Sequence, residues 1–383
     1  MKLISPQQLT ANDKASQYVR DYYNHPHSHY LPNIVTELLL LDTGDEFLPV
    51  TINTGEEKIA PGEKNSYVIS PLTAFIDYAQ VEINALKKSW LTWPISGLIM
   101  LIGVALRAAK LDRLIQINNW LLSTNLYPAN FLCTGEQKIN QLKQFFTASY
   151  SNFAFAFRSL NEVSNQNTIA ILRNAGFISI PTRQVYLFDA SAGEACSFWQ
   201  KHNTQMDAKA LQKMPYRLSL GNEFSPVDFQ RCEQLYRLLY IEKYSVLNPQ
   251  YSAQWLAAGQ SNGWLTLIGL RNTAGKLEGV AGFFENHDIV TAPIVGYNTS
   301  LPAKEALYRR LTQLCLQRAL TKKTLLNFSA GAAKFKRLRG GVPAIEYSMV
   351  YVAHLHFYRR WCWQSLGYLL HKIAVPLMQR WQL

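Results

Sequence analysis

Asn167-Thr-Ile-Ala-Ile-Leu-Arg-Asn-Ala-Gly-Phe177 is the join between a helix and a strand, and the fold is read outward from it. Helical spacing predicts a helix over 165–175, and a run of β-forming residues predicts a strand over 182–188. Upstream, the pattern gives a strand at 153–157, a helix at 135–149 and a strand at 114–119. Further back come three more strands, at 37–41, 47–53 and 66–69. Leading strands followed by alternating strands and helices predict an α/β chain built on a mixed sheet.

The second half repeats the plan. It reads as a strand at 216–220, a helix at 225–241 capped by Ser225, a short helix at 251–258, and strands at 264–270, 277–285 and 289–297. A helix at 302–320, a strand at 324–328, a helix at 330–338 and a strand at 345–352 complete it. The turns after the central strands are alike, Ser123-Thr-Asn-Leu-Tyr-Pro-Ala129 against Asn298-Thr-Ser-Leu-Pro-Ala303. Asn125 and Thr299 lie 174 positions apart, and Phe153 and Leu325 lie 172 apart. Matching offsets at two landmarks imply a tandem repeat. The expected division is an N-terminal domain over 1–190 with an apolar insertion at 89–110, a linker over 191–215, a C-terminal domain over 216–355, and a basic amphipathic helix over 356–383.

With 383 residues, 48% hydrophobic and 17% charged, the chain has enough apolar sequence for packed cores. Its formal net charge of +12 is unevenly spread. Residues 300–383 carry 14 Lys and Arg against two acids, Glu305 and Glu346, while residues 1–299 balance at 24 of each sign. A basic end implies an anionic partner: cofactor phosphates, nucleic acid or an anionic membrane surface. The five cysteines, Cys133, Cys196, Cys232, Cys315 and Cys362, are widely spaced and odd in number, which favours neither a disulfide framework nor a zinc site. The N-terminus lacks the apolar run of a signal peptide, so residence in the cytosol is expected.

Two segments point to a membrane surface. Ser89 to Leu106 passes without a charge between Lys87, Lys88 and Arg107, with Trp90 and Trp93 near its start. It reads as a buried core helix, an interfacial or re-entrant contact, or a short span. Residues 357–383 have no acid and interleave Arg359, Arg360, Lys372 and Arg380 with Trp361, Trp363, Leu366, Ile373 and Trp381. That pattern reads as an amphipathic surface helix, or as a helix docked on the body of the protein.

The strand and helix order resembles the Gcn5-related N-acetyltransferase (GNAT) fold. Residues 167–177 resemble that family's N-x-x-A-x-x-L/Y-x-x-x-G-F segment. Phe328-Ser-Ala-Gly331 with Phe335-Lys336-Arg337 resembles the F-x-x-G-x-x-x-Y/F-K segment of the tandem, Fem-like branch and the related BioF2-like acyltransferases. The two patterns reach across both halves, roughly 36–352. The resemblance implies two GNAT-like domains in tandem. It also implies transfer of an acyl or aminoacyl group from acyl-CoA, an acyl carrier protein or aminoacyl-tRNA to an amine. In it, the Lys matching Lys336 faces the substrate cleft. Acetyl-CoA-using members carry a Q/R-x-x-G-x-G/A loop around the pyrophosphate. Neither half has it; Ser123-Thr124-Asn125 and Asn298-Thr299-Ser300 stand in its places, which favours a larger carrier.

The candidate residues follow from the transfer chemistry, which needs alignment, one proton removed and a steadied oxyanion. Glu285 and His287 in the central hairpin turn are candidates for the base, and Tyr297 for a proton donor or positioner. Asn298, Thr299 and Ser300 are candidates for holding the carrier, or simply cap the following helix. Lys334, Lys336, Arg337 and Arg339, beside Gly340-Gly341, would draw a phosphate or carboxylate. No serine-hydrolase, zincin, P-loop or Rossmann motif is present, and His25-Pro-His27-Ser-His29 has no partner to complete a metal site, so no metal is expected. The leading expectation is an acyltransferase at the cytoplasmic membrane surface acting on a small-molecule or lipid amine. The alternative is a non-catalytic protein that holds a membrane or nucleic acid through its basic end.

Overall fold

The computed structural model describes residues 1–9, 12–57, 63–85, 89–128, 131, 135–212 and 215–381. Lys87, Lys88, Ala129 and Cys133 lie outside them, as do the side chains of Trp90 and His27. The strands are β1 (Lys2–Ile4), β2 (Glu37–Asp42), β3 (Phe47–Asn53), β4 (Leu114–Ile117), β5 (Ala154–Asn161), β6 (Ile178–Asp189), β7 (Arg217–Leu220), β8 (Thr266–Arg271), β9 (Leu277–Asn286), β10 (Ile289–Tyr297), β11 (Leu325–Asn327) and β12 (Val342–Tyr351).

All of them join one mixed sheet in the order β1-β2-β3-β4-β5-β12-β6-β11-β10-β9-β8-β7. Two pairs are parallel, β4 with β5 and β10 with β11, one in each half. The halves exchange their last strands. β6, which ends the first half, pairs with β11, and β12, which ends the second, pairs with β5. β6 and β12 then pair with each other, antiparallel, from Ile178 opposite Val350 to Leu187 opposite Val342. The tandem plan read in the sequence is present, but the division between halves in sequence is not a division in space.

Packing crosses the same line. The helix Lys14–Asn24 starts where the Asp13 carboxylate accepts from Ala15 N and Ser16 N, 2.9 and 3.0 Å away. Its Tyr18 and Tyr22 share one core cluster with Trp120 of the first half and Trp255 and Trp264 of the second. The helix Pro226–Arg237 carries a reciprocal cap between Ser225 and Asp228, as its sequence promised. The expected linker is itself structured: the helix His202–Gln212 buries Thr204, Asp207, Ala208 and Leu211, and packs on the long helix Leu307–Lys322.

Some expectations are corrected. Ser66–Ile69 is a turn rather than a strand, because Ser66 N donates to Asn33 O and the Ile69 carbonyl accepts from the Asn53 and Gln116 amides. β4 stops at Ile117, where Asn118 takes a φ of 57°. β1 went unread because three residues carry no pattern. The four described cysteines are free and buried.

Candidate active site

Each parallel pair comes apart after a few residues, for a local reason. β10 and β11 pair only from Ile289 opposite Leu325 to Thr291 opposite Asn327. The β9–β10 register then slips between Thr291 and Ile294, so β10 bulges at Ala292-Pro293 and turns away. Proline has no amide to give a ladder, which suits it to a bulge. β11 ends at Asn327, and the chain beyond it leans on β6 instead, with Phe328 N donating to Tyr186 O at 2.9 Å. The result is a notch between β10 and the segment after β11. In the first half, β4 and β5 part after Ile117 and Phe157, with a matching bulge between β5 and β12. The strap 118–127 runs there, almost wholly buried. Tyr18 and Tyr251 hold it through the carbonyls of Trp120 and Leu121, at 2.6 and 3.1 Å.

Where the notches meet, cations gather around one carboxylate. Arg183 on β6 grips Glu346 on β12, with Nε to Oε1 at 3.0 Å and Nη2 to Oε2 at 3.4 Å. Nη2 also donates to Ser123 O and to Thr124 Oγ1, the latter at 2.9 Å, and Nη1 reaches the Tyr67 hydroxyl at 3.5 Å. Burial works against the charge of Arg183, and Glu346 beside it more than compensates. About a fifth of the Arg183 side chain (21%) remains open to solvent, whereas Glu346 is closed off. Arg158 on β5 is buried too, its Nη2 donating to Leu122 O at 2.6 Å; burial pulls its pKa down. Its Nε has no partner among the described residues.

Lys336 lies on the other side of Arg183. It is 3% exposed, and its ammonium donates to the carbonyls of Phe328, Ser329 and Ala330 at 2.5, 3.2 and 2.8 Å. The rings of Phe328 and Tyr186 face it, with centroids at 4.7 and 5.8 Å. Burial first, and then the Arg183 cation, lower its pKa to about 7. Lys336 thereby holds the 328–332 segment in a shape that puts Ser329, Gly331 and Ala332 at positive φ. Ser329 Oγ in turn accepts from Thr124 Oγ1 at 3.2 Å, which ties this segment to the first-half strap.

The structure sorts the sequence candidates into groups. Glu285 and His287 stand at the closed end of β10, where Arg318 bridges Glu285 at 2.6 Å and His287 sits in the exposed turn. Tyr297 ends the strand, eight residue steps or roughly 26 Å from Ile289, at the open end. It joins Tyr308 at 6.1 Å, Tyr308 joins Phe335 at 4.9 Å, and the Arg339 guanidinium lies over Phe335 at 3.4 Å. Arg339 is occupied by Asp207 of the linker helix at 2.6 Å, Lys334 faces solvent, and Arg337 is half-buried. Gly340 is required: at φ +86°, a Cβ there would meet the Phe198 backbone at 2.7 Å. Asn298 is tied to Glu278 at 2.8 Å and Ser300 folds back on Asn298, while Thr299 and Ser300 are exposed. Ser300 does not cap the long helix, which begins at Leu307. Among the described residues no group of His, Cys, Asp or Glu is placed to hold a metal ion.

Arg158, Arg183 and Glu346 did not emerge from the motifs. Each had a signal: Arg158 and Glu346 are the single charges of their strands, Arg183 shares its strand with only the terminal Asp189, and Glu346 is one of only two acids in a strongly basic stretch.

A mixed sheet of two like-built halves around a basic junction is the arrangement that the resemblance to tandem, Fem-like GNAT folds implies. No protein-family model matches the sequence, and no curated protein matches it. Among solved structures, FemX aligns over 92% of this chain and 98% of its own, at 6% identity and a TM-score of 0.51, so the two share a fold. L-PGS from Bacillus licheniformis aligns over 64% and 78% at 10% identity and a TM-score of 0.44. A tandem GNAT protein from the clavulanic acid biosynthesis pathway aligns over 62% and 75% at 11% and 0.35.

Proposed function

We propose that the protein is an acyltransferase that moves an acyl or aminoacyl group from an activated carrier to an amine at the junction of its halves. The observation that carries this reading is the notch of the second half, with the Arg183 and Arg158 cations gathered around Glu346 beside it and Lys336 next to Arg183. Beyond Thr291 the edge of β10 facing β11 has lost its ladder, so the amide-bearing arm of acyl-CoA or of an acyl carrier protein can pair with it as an added strand. The excess positive charge suits a carrier bearing phosphates, aminoacyl-tRNA included.

In the transfer the amine nitrogen attacks the carbonyl carbon. The bond to the carrier's sulfur or oxygen breaks, and the amine's proton ends on the leaving group by way of solvent. No covalent enzyme intermediate is required. Arg183, the most accessible of the three cations, and Lys336, through its field, favour negative charge on the carbonyl oxygen. Lys336 also keeps the 328–332 segment in shape. The amine acceptor is a small molecule or a lipid.

The test is to offer purified protein acyl-CoA, acyl carrier protein or aminoacyl-tRNA with a panel of amines, following carrier release and new amides by mass spectrometry. Transfer from one carrier class is expected, with kcat reduced about 100-fold in Lys336→Met. Absence of carrier release with all three classes, or an unchanged rate in that variant, sinks the reading.

A further inference from the structure

The two segments with membrane-like sequence come together on the same side of the sheet. The helix Ser89–Ala108 and the helix Phe357–Leu369 share an apolar cluster, in which Leu106, Trp363 and Leu366 pack over Ala156 of β5, Ile180 of β6 and Val350 of β12. Arg359 is the bracket. Its Nε donates to Ala109 O at 2.8 Å, Nη1 to Asn152 O at 2.5 Å and Nη2 to Lys110 O at 3.2 Å. Tyr358 adds a bond to Ala105 O at 3.3 Å. Both helices thus spend their inner faces on the body of the protein.

Their outer faces are apolar instead of polar. On the first helix Trp93 is 83% exposed and Leu101 71%, with Leu98, Met100 and Val104 along the same side. On the second, Phe357 is 67% exposed and Trp361 60%, Tyr368 is exposed as well, and Ile373 is exposed in the turn that follows the helix. Monomeric soluble proteins seldom present so many large apolar side chains together. A groove of about 650 Å³ runs beside the first helix, lined by Met100, Leu101 and Val104, with Arg107 at its rim. Neither helix carries an acid, and Arg360, Lys372 and Arg380 stand exposed among the aromatics of the C-terminal segment. Among the described residues no helix is long and apolar enough to cross a membrane.

We infer that these two helices form one platform that docks the protein on an anionic lipid bilayer, inserting Trp93, Leu101 and Trp361 into the interface while Arg360 and Lys372 meet lipid phosphates. The charge decides the occupant. A second copy of the chain, paired through this face about a two-fold axis, would set basic surface against basic surface. A nucleic acid would leave the apolar rows uncovered. A bilayer with acidic headgroups answers both the apolar and the cationic parts. Docking is separate from the transfer chemistry, so each is able to fail alone.

The experiment is flotation of the full chain with vesicles of phosphatidylcholine alone, or with about one third phosphatidylglycerol, at roughly 0.1 and 0.5 M salt. Flotation with the anionic vesicles is expected, weakened but not abolished at the higher salt. Trp93→Ser with Leu101→Ser should lower partitioning about tenfold or more. Arg360→Ser with Lys372→Ser should lower it about tenfold or more on anionic vesicles only. These positions are exposed, so unchanged circular dichroism and unfolding midpoints are expected alongside. Protein that stays at the bottom with both vesicle types overturns the inference, as does equal flotation on neutral and anionic vesicles, or variants that float like the parent. A dimer in sedimentation velocity that is lost in Trp93→Ser with Leu101→Ser, without vesicle binding, gives the face to a second copy and overturns it too. Transfer assays on the same preparations show whether docking alone has failed.

Discussion

Lys336 is a charge that the fold half refuses. Water would leave its pKa at 10.5, but burial and the neighbouring Arg183 bring it to about 7, even as three carbonyls hold the ammonium. Between those two values the unfolded chain carries a proton that the native chain tends to release. The unfolded state therefore binds more protons, and this group adds stability as pH rises from about 7 towards 10, by at most about 1.4 kcal/mol per unit. Lys336→Met should erase that slope. Urea unfolding of parent and variant at about pH 7 and about pH 9.5 checks it: the parent should gain stability on the variant at the higher pH, and a constant difference would show that Lys336 titrates outside this window.

The elements that make the junction are β6 and β12, and Arg183–Glu346 is the ion pair between them. Removing one partner of a buried pair strands the other charge, so Arg183→Met should cost about 3–5 kcal/mol, and adding Glu346→Leu should recover most of it. A double-mutant cycle in urea measures the coupling; additive losses would mean that the pair does not act as a unit. This pair also marks where sequence reading stopped. The long central elements were legible because their patterns are strong: Leu277–Asn286 and Ile289–Tyr297 are continuous, largely apolar runs joined by a tight turn, and Ser225 announces its helix. Lys336 was legible through its motif. The exchange of last strands was not, because β6 and β12 read the same whichever neighbour they take. Nor was the company of Arg158, Arg183 and Glu346, which lie far apart in sequence and meet only through that exchange. The outward apolar face of Ser89–Ala108 had the same cause: hydropathy reports that a helix is apolar, not which side the body covers.

At the scale of the whole molecule, the exchange makes each half depend on the other. Cut between Ala190 and Ser191, the first fragment keeps β5 and β6 but loses β12, which lies between them and pairs with both. The second keeps β11 and β12 but loses β6, the strand that joins them in the sheet. Each fragment would expose long strand edges, and the cluster joining Tyr18 and Trp120 to Trp255 and Trp264 would be split, opening apolar surface on both. Residues 1–190 or 191–383 made alone should accordingly aggregate or show no cooperative unfolding, whereas the two produced together should associate and recover the sheet. The intact chain should unfold in a single transition, because the central strands and the cluster joining Tyr18 and Trp120 to Trp255 and Trp264 are shared by both halves and are lost together. Guanidinium unfolding followed by tryptophan fluorescence and by circular dichroism tests this. Coincident curves for the intact chain, with no sharp transition in either fragment, are the expected result. A fragment that unfolds by itself with a midpoint near that of the intact protein would mean that the exchanged strands are an accessory to two self-sufficient halves, and the junction, with the site built on it, would lose its structural reason for being shared.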